Sequence, residues 1–235
     1  MSRYLNPFTD FGFKKIFGSE NSQKLLISFL NEILPNAKIK TLDYKKTEHL
    51  GQTDLDRKVI YDLYCQNEQG EKFIVELQKA KQSFFKDRAL FYSTFPIQEQ
   101  AVKGDWDYKL KSVYTVAILD FCFADEDRKS VKVTVKLMDT LRKTVFYDKL
   151  TFVYLQMPNF DKKESELQTL EDKWLFILRN LSVMEDRPNI LSDQIFDDLF
   201  HSAELTQLSA SEKFAYEESL KYYRDVKNSL DTAFA

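Results

Sequence analysis

The chain has 235 residues, 43% hydrophobic and 14% aromatic, with only five glycines and five prolines, so it can bury a sizeable core and is not a low-complexity chain. Its formal net charge of −3 removes the strongly basic balance that is the simplest footprint of a nucleic-acid binder, although local basic patches remain open. Two cysteines and two histidines, none at metal-ligand spacing, speak against a zinc or histidine-based metal site; Cys65 and Cys122 are expected to be reduced core residues.

The first residues, Met1-Ser2-Arg3-Tyr4-Leu5-Asn6-Pro7, lack the apolar core of a signal peptide. The longest apolar stretch, 113–123, is broken by Asp120 and is too short to span a bilayer, so a cytoplasmic location without a membrane partner is expected. Thr9 or Asp10 can cap a short helix that carries Phe13, Ile16 and Phe17 and ends at Gly18. Asn21 opens a second helix, with Leu25, Leu26, Phe29, Leu30 and Ile33 at helical spacing before Pro35 stops it. A strand over 39–44 and a polar loop to about Arg57 follow.

The next two runs, 58–65 and 72–78, are rich in aromatic and β-branched residues and flank Asn67-Glu68-Gln69-Gly70-Glu71, so they read as an antiparallel hairpin. If Glu68, Gln69 and Gly70 form a three-residue loop with Gly70 left-handed, Asn67 faces Glu71 and Asp62 lies opposite Glu76. Gln78 shares the face of Glu76, roughly 6 to 7 Å along the strand. Directly paired β-carbons sit about 5 Å apart, so Asp62 and Glu76 repel unless a proton or cation lies between them. A hard divalent ion suits such oxygen ligands. With Ile60, Tyr64 and Ile74 as neighbours, this does not read as a solvated face; a register slip of one residue would place the two acids on opposite faces and leave a structural role.

A helix is expected over 83–102, ended or kinked by Pro96, with Phe84, Phe85, Phe91, Tyr92 and Phe95 facing the sheet. Strands are expected over 113–121, 130–138 and 151–157. The middle one alternates Val131, Val133, Val135 and Leu137 with Lys132, Thr134 and Lys136, which predicts one wet face near a sheet edge. From Glu164 the chain turns helical: Leu167, Leu170, Trp174, Leu175, Leu178 and Leu181 mark one helix, and others are expected over 193–200 and 211–230. The expected class is α/β or α+β, a mixed central sheet flanked by helices, with a core over 1–160 and a helical region over 161–235 packed on it or extending from it.

No glycine-rich phosphate loop, nucleophile elbow, two-histidine zinc motif or Cys-x-x-Cys pair is present. A helix, a hairpin carrying Asp62, then Glu76-Leu77-Gln78 and another helix resemble the core of the PD-(D/E)XK nuclease superfamily. More specifically, the chain resembles the recombination-promoting nuclease and transposase family. The segments that carry the resemblance are Pro7-Phe8-Thr9-Asp10-Phe11-Gly12-Phe13-Lys14-Lys15-Ile16-Phe17-Gly18, Leu26-Ile27-Ser28-Phe29-Leu30-Asn31 and the hairpin. Phe84-Phe85-Lys86-Asp87-Arg88, Tyr92-Ser93-Thr94-Phe95-Pro96-Ile97-Gln98-Glu99-Gln100, Tyr114-Thr115-Val116-Ala117-Ile118-Leu119-Asp120-Phe121 and Lys173-Trp174-Leu175-Phe176-Ile177-Leu178 complete the set.

The resemblance implies a restriction-endonuclease-like fold and a metal-dependent DNA endonuclease. It implies that Asp62, Glu76 and the main-chain carbonyl of Leu77 hold Mg²⁺, with Mn²⁺ able to substitute, and that Gln78 stands where most of the superfamily has lysine. Glutamine supplies no charge, so another cation is expected to be recruited. Arg88 is the first candidate and Lys81 the next, while Lys79 alternates to the opposite face if the strand continues; Arg88 reads equally as a partner for Asp87 or a core carboxylate. Asp10 and Lys14, one helical turn apart, read as a metal and a phosphate contact or as a cap and an exposed ion pair. Lys221-Tyr222-Tyr223-Arg224 reads as a solvated helix face, with nucleic-acid contact as the alternative. DNA is the expected partner, and the C-terminal helices are the expected surface for any homo-oligomer. The competing functional readings are a nuclease-like module that binds DNA or a protein without cutting, and an RNA substrate.

Overall fold

A computed structural model describes residues 2–49, 59–101, 104–123 and 130–234. The polar loop from residue 50 to Arg57, Lys58 of the first hairpin run and Val102 at the end of the third expected helix lie outside the described residues. Helix α1 spans Asp10–Phe17 and is capped by Thr9, whose hydroxyl accepts from the Gly12 amide at 2.9 Å. Gly12 is required by close approach, because a β-carbon there would lie 2.1 Å from the Asn6 carbonyl oxygen. After a short turn capped by Ser19, α2 spans Gln23–Ile33 and buries its whole predicted apolar stripe.

The strands are β1 (Leu42–Tyr44), β2 (Glu48–His49), β3 (Val59–Ile60), β4 (Leu63–Asn67), β5 (Lys72–Gln78), β6 (Val113–Leu119), β7 (Lys132–Asp139) and β8 (Thr144–Gln156). Six of them form one mixed sheet in the order β1-β4-β5-β6-β8-β7, while β2 and β3 make a separate ribbon. β5, β6 and β8 run parallel at the centre; the flanking pairs are antiparallel. Helix α3 spans Phe85–Gln98, α4 Leu170–Asn180, α5 Gln194–Ala203 and α6 Ala210–Phe234. This is the expected mixed α/β architecture, a central sheet flanked by helices.

Strand alternation sorts the two faces. Phe73, Val75 and Leu77 of β5 join the main core with residues of α1, α2, α4 and α5. Ile74 faces the other way, beside Tyr61, Tyr64, Tyr92 and Phe95. Glu76 and Gln78 have the parity of Ile74 and so lie on the α3 side. Among the described residues no helix is long and apolar enough to cross a membrane.

Several expectations need correction. The run 58–65 is not one strand: Tyr61 donates its amide to the Thr47 carbonyl at 2.8 Å and the Asp62 carboxylate accepts from the Leu77 amide, so the β4–β5 ladder begins only at Leu63. Ile60 consequently turns outward and is exposed. Pro96 lies inside α3, which ends shortly after it at Gln98 and not at 102. Its ring removes the donor for the Tyr92 carbonyl, and the Tyr61 hydroxyl supplies one instead at 2.9 Å. Phe84 and Phe91 do not face the sheet but are exposed, and so are Val135 and Leu137 on the edge strand β7, where bulges interrupt the pairing. Cys65 is a buried free thiol, whereas Cys122 lies beyond β6 and is only partly buried.

Candidate active site

The hairpin turn fixes the site's register. Gly70 adopts φ +80°, its amide bonds the Asn67 carbonyl at 3.0 Å, and the Asn67 amide bonds the Glu71 carbonyl at 3.1 Å. The ladder then pairs Leu63 with Val75, so the next step sets Asp62 against Glu76, as the spacing predicts. There the ladder gives way to side chains. The Asp62 amide approaches Glu76 Oε1 at 3.4 Å, and Asp62 Oδ2 accepts from the Leu77 amide at 2.7 Å.

Burial pushes the Glu76 carboxyl up to about 8, helped by the neighbouring Asp62 charge and opposed by Arg88. Burial raises Asp62 as well, against the Leu77 amide, with Asp10 adding to the rise and Lys14 and Lys79 opposing it. Two adjacent acids held above their ordinary range constitute a site that a cation would discharge. Both acids present hard oxygens. Leu77 has its amide toward β4 and, by strand geometry, its carbonyl on that same edge. Mg²⁺ needs only one or two protein carboxylates, because water and substrate phosphate complete its shell, so this donor set fits it. Among the described residues no cluster of three acids, histidines or cysteines surrounds the pair.

On the α3 side, Gln78 is buried and donates from Nε2 to the Ala80 carbonyl at 2.8 Å. Its Oε1 accepts from Arg88 Nη2 at 2.5 Å, while Arg88 Nη1 donates to Gln82 Oε1 at 2.7 Å. The guanidinium also lies 5.3 Å from the Phe85 ring centre and 5.7 Å from that of Tyr92. Asp62, Glu76, Gln78 and Arg88 are thus brought together. Lys81 is exposed on the rim of the adjoining cleft. Asp10 and Lys14 pair with each other at 2.9 Å on exposed side chains and act on Asp62 only through their charge. The strand stops at Gln78, so strand parity does not govern Lys79. Its ammonium lies 5.3 Å from the centre of the Tyr222 ring of α6, and burial lowers its pKa while Asp10 and Asp62 hold it up.

One acid escaped the sequence reading. Asp120, just past β6, donates its amide to the Gln78 carbonyl at 3.0 Å, and its nearly buried carboxylate accepts from the Tyr223 hydroxyl at 2.7 Å. Arg179 of α4 and Lys227 of α6 stand 3.8 Å and 3.9 Å away. The charge that breaks the apolar run 113–123 was the available signal. Tyr223 accordingly belongs to this joint; the fully solvated face expected for 221–224 holds for the exposed Tyr222 and Arg224 only in part, because Tyr222 meets Lys79.

Neither a curated protein nor a solved structure matches the chain. A sequence model described as "PD-(D/E)XK nuclease family transposase" matches residues 7–233, which takes in every element from α1 to α6. Members of that superfamily generally use divalent metal ions, and the family description implies a DNA substrate. With a sheet of the expected type and a model spanning nearly its full length, the chain belongs to the PD-(D/E)XK nuclease family transposases.

Proposed function

We propose that the chain is a metal-dependent DNA endonuclease that hydrolyses phosphodiester bonds where Asp62 meets Glu76. The observation that supports this reading best is the carboxylate pair itself, set where the β4–β5 ladder ends, with Glu76 shifted up to about 8 by burial and by Asp62. In this reading Asp62, Glu76 and the Leu77 carbonyl hold Mg²⁺, for which Mn²⁺ substitutes. When bound, the ion supplies an acidified water and neutralises charge building on the phosphate.

The chain's own residues supply the rest. Asp62 is oriented by the Leu77 amide, which occupies Oδ2 and would leave the second oxygen for the ion. Gln78 fixes Arg88 through Oε1, and the guanidinium brings the permanent positive charge that a glutamine lacks. Arg88 would serve the phosphate from the α3 side. Lys81 on the rim and Asp10 beyond Asp62 are auxiliary groups that act through charge.

Supercoiled plasmid is incubated with the protein in EDTA, Mg²⁺ or Mn²⁺ beside Asp62→Ala and Glu76→Ala variants checked for folding. Metal-dependent nicking that both variants lose is expected. Full activity in folded Asp62→Ala would overturn the assignment of the site. Absence of cleavage under every condition would overturn the enzyme reading in favour of a module that binds DNA or a protein without cutting.

A further inference from the structure

Two exposed phenyl rings flank Arg88 in sequence. Phe84, at the start of α3, is 74% exposed and Phe91 is 47% exposed. Both line an open cleft of about 720 Å³, together with Lys81, Asp87, Arg88 and Tyr92, a volume within the range of about 300–1,000 Å³ that serves small-ligand sites. Residues 84, 88 and 91 recur at helical spacing, so Arg88 lies on the same stripe as the two rings. Arg88 bonds Gln78, at the end of the strand that carries Glu76, so the cleft and the candidate active site share this arginine.

A phenyl ring has no donor or acceptor and offers only an apolar face, which tolerates any base. An apolar protein segment would suit the rings but not the Lys81 and Arg88 cations set among them, which outnumber the Asp87 carboxylate in the same lining and match the phosphates on either side of a base. Bases inside an intact duplex are stacked on each other and present no free face. We infer that this cleft takes an unpaired nucleobase of the DNA strand, stacked on Phe84 and Phe91, and that the protein selects single-stranded or locally melted DNA over intact duplex. The cutting of that strand rests on the nuclease reading; its binding does not.

The test uses single-stranded oligodeoxynucleotides carrying 2-aminopurine, whose fluorescence is quenched on stacking, titrated in EDTA so that no cleavage occurs. Wild type, Phe84→Ala, Phe91→Ala, the double variant and Phe84→Trp are compared, with Phe146→Ala as a control at the far hairpin tip, and circular dichroism verifies folding. Wild type is expected to quench the probe and to bind the single strand more tightly than the same sequence as duplex. Each alanine variant is expected to lose roughly 5- to 100-fold in single-strand affinity, the range of base–aromatic stacking. Phe84→Trp is expected to retain the quenching, and Phe146→Ala to behave as wild type. Absent quenching, or alanine variants that bind like wild type, would overturn the inference; in the first case the aromatic face falls to a protein partner. A Mg²⁺ arm separates the two readings. Ring-dependent binding without cleavage supports the cleft and overturns the nuclease, whereas Asp62-dependent cleavage with ring-independent binding does the reverse.

Discussion

Arg88 Nη2 donates to Gln78 Oε1 at 2.5 Å, which couples a cation on α3 to the end of the strand that carries Glu76. If that guanidinium serves the phosphate, Arg88→Ala is expected to lower kcat for plasmid nicking by about 10²–10³-fold, the range for losing one preorganised donor. Arg88→Lys should recover part of the loss, since it keeps the charge but not the fork. Steady-state kinetics on folded variants decide this; an unchanged kcat in Arg88→Ala would make the arginine a structural partner.

The Glu76 carboxyl fixes a pH dependence. Its pKa stands at about 8 in the folded chain against an ordinary 4.5, so between those values the folded state binds more protons than the unfolded one. The corresponding stability of the metal-free protein is therefore full below about 4.5 and is lost as pH rises through 8, a change on the order of a few kcal/mol. Thermal melts in EDTA are expected to show a lower Tm at pH 9 than at pH 6, with Mg²⁺ restoring it most at pH 9. Glu76→Gln should flatten the slope; an equally steep slope in that variant would assign the effect to other groups.

Tyr61 and Pro96 form an unannounced pair through the Tyr92 carbonyl. Removing the phenol in Tyr61→Phe leaves that carbonyl without the donor that replaces the missing proline N–H, and a loss of about 1–2 kcal/mol is expected. In a Pro96→Ala background the helical donor returns, so the same substitution should cost less. Urea titration of the double-mutant cycle reads the coupling; additive effects would refute it.

The Asp120 joint predicts a stability effect carried by α6. Tyr223→Phe removes a hydrogen bond to a carboxylate of which only 7% is exposed and should destabilise by about 1.5–3 kcal/mol. Chemical denaturation measures this. A change within about 0.5 kcal/mol, the range typical of surface sites, would show that α6 is not anchored there.

The carboxylate register was legible because a hairpin turn is local: Gly70 sets the loop, and the ladder runs from it to Leu63 and Val75, one step short of Asp62 and Glu76. The stripes of α1, α2 and α4 were legible for the same reason, since each repeats with the helical period. What failed was whatever depended on a partner distant in sequence. Thr47 draws Tyr61 out of the strand, Tyr61 rescues the helix across Pro96, and Phe84 and Phe91 stay exposed, with Phe91 meeting Phe95 and Tyr92 of its own helix.

The sequence by itself determined the α/β class, the hairpin and the pairing of two acids, because turn chemistry and the periods of strand and helix are short-range. Only the tertiary structure decided that α3 delivers Arg88 to Gln78, that Lys79 leaves the strand for Tyr222, and that Asp120 ties α4 and α6 to the end of β6. Those relationships join side chains far apart in the chain, and the free energy that fixes them comes from burying a shared core and satisfying polar groups inside it, which no local pattern encodes.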